Sequence, residues 1–110
     1  MKYHNRKTTV DGKTFDSMLE AKRYRELNLM EHAGEIFQLE LQPVFILIPK
    51  FKKNGKTYRE VTYRADFAYT DKNDKYIVED VKGVKTPLYR LKKKLFEYTY
   101  PQLEIKEITE

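Results

Sequence analysis

Arg64-Ala65-Asp66-Phe67-Ala68, then Asp71-Lys72-Asn73-Asp74, then Tyr76-Ile77-Val78-Glu79-Asp80-Val81-Lys82: the architecture turns on these residues. The outer parts are β-prone and the middle is a polar turn, so the segment reads as two strands joined into a hairpin. The first strand, about Tyr58 to Tyr69, alternates, with Val61, Tyr63, Ala65, Phe67 and Tyr69 expected on one face and Thr62, Arg64, Asp66 and Ala68 on the other. Aspartate is depleted in strand interiors, so Asp66 wants a reason to be there. In an antiparallel pair, opposed residues have a constant sum of numbers and point to the same face. Asp66 falls opposite Asp80 when that sum is 146, which requires an odd-length connection such as 71–75. An even connection places Asp66 beside Glu79 instead, unless a bulge corrects the register. Two carboxylates side by side repel unless a cation lies between them, and a hard divalent ion with oxygen ligands suits that place. Lys82, two residues beyond Asp80, lies on the same side of its strand.

On either side of this hairpin the chain alternates between helical and extended patterns. Asp11-Gly12, within Lys7 to Phe15, predicts a small N-terminal hairpin. Ser17 is an N-cap with Glu20 three residues on, and Gly34 is a C-cap candidate. Met18, Ala21, Tyr24 and Leu27 recur at helical spacing between them, as the face that packs on a sheet. From Ile36 the pattern turns extended, and Pro43 to Pro49 reads as a strand bounded by two prolines. Asn54-Gly55 marks a tight turn among Lys50, Lys52, Lys53, Lys56 and Arg59. After Gly83, Thr86-Pro87 opens a helix to about Thr99, with Leu88, Leu91, Leu95 and Tyr98 as the expected buried stripe. Leu103 to Ile108 is a last strand. The order is a short hairpin, a helix, three strands, a helix and a strand: an α/β fold with one mixed sheet and helices packed on it.

The 110 residues suit one domain. Nine tyrosines and six phenylalanines supply large area for a core, which argues for a folded chain rather than a disordered one. The formal net charge of +5 and pI near 9.3 favour a polyanionic partner. The absence of cysteine excludes disulfides and thiolate metal sites. The polar, basic start from Met1 to Thr9 and the shortness of the longest apolar run, Val44 to Ile48, predict a soluble, intracellular (cytoplasmic) protein with no membrane span.

The pattern acid-x-Lys occurs four times, at Asp11, Glu20, Asp80 and Glu104. The Asp11 copy falls in a turn, Glu20 and Lys22 point to different sides of a helix, and Glu104 has no acidic hairpin partner before it. Only Asp80-Val81-Lys82 ends a strand that follows another strand carrying an acid. In this context the chain resembles the PD-(D/E)xK nuclease superfamily from about Ser17 to Ile108. That family's core is a helix, a three-stranded meander, a helix and a strand. Its motif is an acid on the second strand and acid-x-Lys on the third, here Asp66 and Asp80-Val81-Lys82. A glutamate on the first helix is matched by Glu20. The proline that names the motif is absent, with Ala65 before Asp66. Gln42-Pro43 before the hydrophobic strand adds a likeness to compact phage-encoded members.

The resemblance implies a restriction-endonuclease-like core and a metal-dependent DNA endonuclease. Asp66, Asp80 and the Val81 carbonyl would hold Mg²⁺ or Mn²⁺. Glu20 would hold a metal-bound water or a second ion, and Lys82 would orient or activate the nucleophile. Gln42 would line the site. Related resolvases imply a homodimer acting on branched DNA such as a Holliday junction. Plainer readings stand beside these: Ser17 to Glu20 is also a capping box, and Asp66, Asp80 and Lys82 also read as solvated strand charges. Lys85, Arg90, Lys92, Lys93 and Lys94 are either the solvated face of a helix or DNA contacts. Lys53 and Lys56 belong either to an edge-protecting hairpin or to a finger reaching into a groove. Tyr89, beside Arg90, is a candidate for base stacking. His4 and His32 are isolated and read as no metal ligand. Two other functions compete with the nuclease: a non-catalytic nucleic-acid-binding module retaining the fold, and a structural protein of phage type whose basic surface serves solubility or an acidic partner.

Overall fold

The computed structural model describes residues 7–109. Thr8–Val10 (β1) and Lys13–Phe15 (β2) form the N-terminal hairpin, with Asp11 and Gly12 at φ 53° and 75°. Both central residues of a two-residue turn need positive φ when the turn is to match strand twist, which is why Asp-Gly serves here. Met18–His32 (α1) follows, with the Ser17 side chain accepting the Glu20 N–H at 3.1 Å. Glu20, Ala21, Tyr24 and Leu27 form its buried face. Met18, the first helical residue and expected in that face, is 61% exposed.

Ile36–Leu41 (β3) and Val44–Ile48 (β4) run on from one another, as do Val61–Arg64 (β7) and Phe67–Asp71 (β8). β4 pairs antiparallel with β7, and β3 pairs antiparallel with β8, so the two runs make one long bent hairpin. A separate two-stranded ribbon, Phe51–Lys53 (β5) and Lys56–Tyr58 (β6), is inserted between β4 and β7. Tyr76–Val81 (β9) lies antiparallel beside β8, and Ile105–Ile108 (β10) lies parallel to β9 after the crossover helix Pro87–Thr99 (α2). The main sheet is therefore mixed, in the order β10-β9-β8-β3. The α/β class and the mixed sheet with two helices follow the sequence expectation. The extended pattern expected from Ile36 is there, as β3 and β4, while the single strand expected from about Tyr58 to Tyr69 is broken into β7 and β8.

Each face of the sheet carries its own core. Phe15, Ala21, Tyr24, Leu27, Ile36, Phe67, Tyr69 and Val81 pack together on the α1 side. Leu47, Tyr63, Ala65, Ala68, Val78, Tyr89, Phe96 and Ile105 pack on the α2 side. Burying a large side chain such as Phe67 or Phe96, both 0% exposed, contributes about 1.5–3 kcal/mol each. Two sequence expectations are corrected by this packing. Tyr63 and Ala65 share a face with Ala68, not with Phe67 and Tyr69, because the alternation slips at residues 65–66. On α2 the buried positions are Tyr89 and Phe96, whereas Leu88, Leu91 and Tyr98 are 61%, 53% and 84% exposed and only Leu95 is partly covered. The helix is turned about one residue from the expected stripe, which brings its two bulkiest inward-facing rings against Tyr63. Among the described residues, no helix is long and apolar enough to cross a membrane.

Candidate active site

The β8–β9 hairpin has a connection from the end of β8 at Asp71 to the start of β9 at Tyr76, and its register pairs, from Phe67↔Glu79 to Thr70↔Tyr76, all add to 146. The pairing closes on an odd-length stretch, 71–75, and the sum directs Asp66 toward the end of β9 carrying Asp80. Asp66 itself sits just beyond the last regular pair. Its N–H donates to the Glu79 carbonyl at 3.1 Å, although Glu79 is already the register partner of Phe67. Two residues of one strand thus address one residue of the other, the mark of a β-bulge. A bulge bends its strand and re-aims a side chain. Here it is the physical cause of the slipped alternation, and it turns the Asp66 carboxylate along the edge of β9, where Oδ2 accepts the Val81 N–H at 2.7 Å. Gln42, expected at the site, donates its backbone N–H to the Asp66 carbonyl at 2.9 Å and so helps hold the bulge.

Asp80 points to the α2 side of the sheet and is 3% exposed. Lys82 Nζ lies 2.9 Å from its Oδ1, and the Tyr63 hydroxyl donates to its Oδ2. The same ammonium lies 4.0 Å from the centroid of the Tyr89 ring, in cation–π range. Tyr89 in turn donates its hydroxyl to Glu107 Oε2 at 2.7 Å, and Glu107 Oε1 pairs with Lys85 at 3.0 Å, with Lys93 3.9 Å from Oε2. Burial and the neighbouring Asp80 carboxylate raise the Tyr63 hydroxyl far above its ordinary pKa, so it stays a donor. Burial and the bond to Glu107 do the same for Tyr89. The Tyr89 hydroxyl, and then the lysines, hold the Glu107 carboxyl below the usual carboxylate range. Tyr89 is 7% exposed and commits its ring to Lys82 and its hydroxyl to Glu107, so the expected stacking on a base is replaced by a contact that positions Lys82.

Glu20 is 1% exposed on the sheet-facing side of α1, one turn before Arg23. Arg23 makes a two-pronged contact with Glu79, Nε to Oε1 at 2.8 Å and an η-nitrogen to Oε2 at 2.7 Å. The Tyr69 hydroxyl also donates to Glu79, which is 0% exposed. The bond to Glu79 raises the Arg23 pKa further, fixing its charge. This buried cluster pins α1, with Glu20 on it, to the strand that carries Asp80. Neither the cluster nor the contacts of Tyr63 follow from the sequence pattern. The one signal for them is Glu79, a charge set inside the otherwise apolar run Ile77-Val78 and Val81.

The oxygen donors here, Asp66, Asp80 and the Val81 carbonyl, are those of a hard cation. Among the described residues, no three His, Asp or Glu side chains lie close enough to hold a metal by themselves. Mg²⁺ does not require three, because it commonly takes one or two carboxylates and completes its shell with water and substrate phosphate. The donor set therefore fits such an ion. Of the basic residues, Lys85, Arg90, Lys93 and Lys94 line a surface cavity together with Tyr89, Glu97 and Glu107, next to the Lys82 contact. Lys92 is half-buried on the same helix, and Lys53 and Lys56 stand apart on the β5–β6 ribbon. His32 Nδ1 lies 2.8 Å from the Asn28 carbonyl within α1, away from these carboxylates, while His4 is outside the described residues.

The whole chain, residues 1–110, matches the family described as "Protein of unknown function (DUF1064)" and belongs to it. No curated protein and no solved structure matches the chain.

Proposed function

We propose that this member of the family is a metal-dependent deoxyribonuclease of the PD-(D/E)xK kind. The observation that carries the reading is that one hairpin end holds Asp80, paired with Lys82, and Asp66, whose carboxylate accepts the N–H of Val81, the residue between Asp80 and Lys82 in sequence. Ordinary solvated strand charges do not account for it, since Asp80 is nearly inaccessible and Lys82 is bound to a carboxylate and an aromatic ring. Asp66 and Asp80 would hold Mg²⁺ or Mn²⁺, with the Val81 carbonyl as a further oxygen. When bound, such an ion lowers the pKa of a water and offsets charge developing on a phosphodiester. Lys82 orients the scissile phosphate or the attacking water, and Tyr89 and Asp80 together hold its ammonium in place. Tyr63 keeps the Asp80 carboxylate from turning. Arg23 and Glu79 fix the helix that presents Glu20. The cavity lined by Lys85, Arg90, Lys93 and Lys94 lies where the phosphate backbone on one side of the cut would run. In its finer form the reading is a homodimer that cuts branched DNA symmetrically.

The test is cleavage of labelled duplex, flap and four-way-junction DNA with Mg²⁺, Mn²⁺ or EDTA, wild type beside Asp80→Asn. Metal-dependent cutting that Asp80→Asn lowers by about 10²-fold or more supports the nuclease, on the scale typical of lost charge stabilisation. A preference for the junction supports the resolvase form. DNA binding without cutting in either metal, unchanged by the substitution, overturns catalysis and leaves a binding module.

A further inference from the structure

The β5–β6 ribbon, Phe51–Lys53 with Lys56–Tyr58, is a sheet of its own, paired with no other strand among the described residues. All six of its residues are exposed, so neither face packs on the body of the fold. Asn54 and Gly55 close it at φ 52° and 74°, the tight turn that continues strand twist to the tip. At its base Phe51 and Tyr58 are register partners whose rings stack at 4.9 Å with an interplanar angle of 11°. This pair stiffens a ribbon that has no core beneath it.

Its charges are arranged against the ribbon's own stability. Lys53 and Lys56 are direct register partners on either side of the turn, and like charges in that relation repel. Lys56 lies 5.1 Å from the Tyr58 ring, which holds it along the ribbon's length. Between positions 50 and 60 there are five cations, Lys50, Lys52, Lys53, Lys56 and Arg59, against one acid, Glu60. Guarding a sheet edge does not require this concentration, since the ribbon covers no edge of the main sheet. A polyanion that enters around the tip removes the repulsion.

We infer that the β5–β6 ribbon is a finger that docks in the major groove of B-form DNA. Two strands about 4.8 Å apart with their side chains fill a slot of about 12 Å, the width of that groove, and overfill the minor groove of about 6 Å. The major groove of A-form RNA is too narrow and deep to admit side chains, which makes duplex DNA the partner. From Gly55 to Asp66 there are eleven residue steps, at most about 36 Å of extended chain at about 3.3 Å each. That is about one turn of duplex, so the finger reaches a groove within one turn of the proposed cut.

The inference rests on the DNA-directed reading of the site only in its choice of partner, and its test reads binding in EDTA, where cleavage plays no part. Fluorescence anisotropy of a labelled 30-base-pair DNA duplex, and of an RNA duplex of the same sequence, is followed from 50 to 200 mM salt. Wild type is compared with Lys53→Gln/Lys56→Gln, both exposed positions, with an unchanged thermal melt as the folding control. The double substitution is expected to lower the magnitude of the log–log salt slope on DNA by about 1.8, at about 0.9 for each phosphate no longer neutralised, and to leave the weaker RNA binding unchanged. Phe51→Ala, which removes the stiffening ring pair, is expected to weaken DNA binding with no change in slope. An unchanged slope, equal weakening on RNA and DNA, or no DNA binding at all overturns the finger. A chain that binds through the finger but never cuts keeps this inference and loses the nuclease.

Discussion

Replacing Arg23 by methionine removes one side of a deeply buried ion pair. Glu79 is 0% exposed, and Arg23 supplies a fork to both of its oxygens at 2.8 and 2.7 Å. Without the fork, Oε2 keeps the Tyr69 hydroxyl, while Oε1 loses the Arg23 Nε–H that points at it. A buried charge deprived of its partner costs about 3–5 kcal/mol. The Arg23 side chain is 16% exposed, so water reaches the gap and the loss belongs at the lower end, about 3 kcal/mol. With a urea m-value of about 1.5 kcal/mol/M, the unfolding midpoint falls by about 2 M. Arg23→Met/Glu79→Met removes both charges and fills the space with apolar atoms, so it should return to within about 1 kcal/mol of wild type. Equilibrium urea unfolding, followed by tyrosine fluorescence and circular dichroism, measures all three proteins. A single variant that loses less than about 1 kcal/mol, or a double variant as unstable as the single, refutes the claim that this pair fixes α1 to the sheet.

Two further outcomes follow from the contacts around Lys82. On the proposed nuclease reading, Tyr89→Phe keeps the ring beneath the ammonium and should leave single-turnover cleavage within about threefold, whereas Tyr89→Leu removes it. At about 0.5–2 kcal/mol for the cation–π contact, the Leu variant should lose about 2- to 30-fold in rate with little change in KM, and equal effects of the two changes would refute the positioning role. Glu107 has a folded pKa below its ordinary value near 4.3, so its contribution is present above that pH and is lost as the pH falls through the lowered folded value. The wild-type urea midpoint should therefore decline more steeply from about pH 5 to about pH 3 than that of Glu107→Gln; parallel declines would contradict the Tyr89, Lys85 and Lys93 contacts.

The parts of this fold legible in the sequence are those governed by neighbours in the chain. Asp11-Gly12 and Asn54-Gly55 announce their turns because φ requirements are local, and Ser17 and Thr86-Pro87 announce helix starts because caps bond within three residues. The turn that begins at Asp71 fixes the hairpin register for the same reason, with Asp71 Oδ1 accepting the Asn73 and Lys75 N–H groups. What periodicity left open was decided by packing across the sheet. On α2, the set Leu88, Leu91, Leu95 and Tyr98 and the set Tyr89 and Phe96 both have helical spacing, and only the demand of Tyr63 and Phe45 for ring contacts selects the second. The bulge at Asp66 is likewise invisible to alternation, because it depends on how two strands pair and not on the residues of one. That same slip shapes the site. An unbroken strand would have set Asp66 squarely beside Asp80, two like charges in direct register. The bulge instead gives Asp66 the Val81 N–H, while Lys82 and Tyr63 restrain Asp80, so each acid is held by its own neighbours.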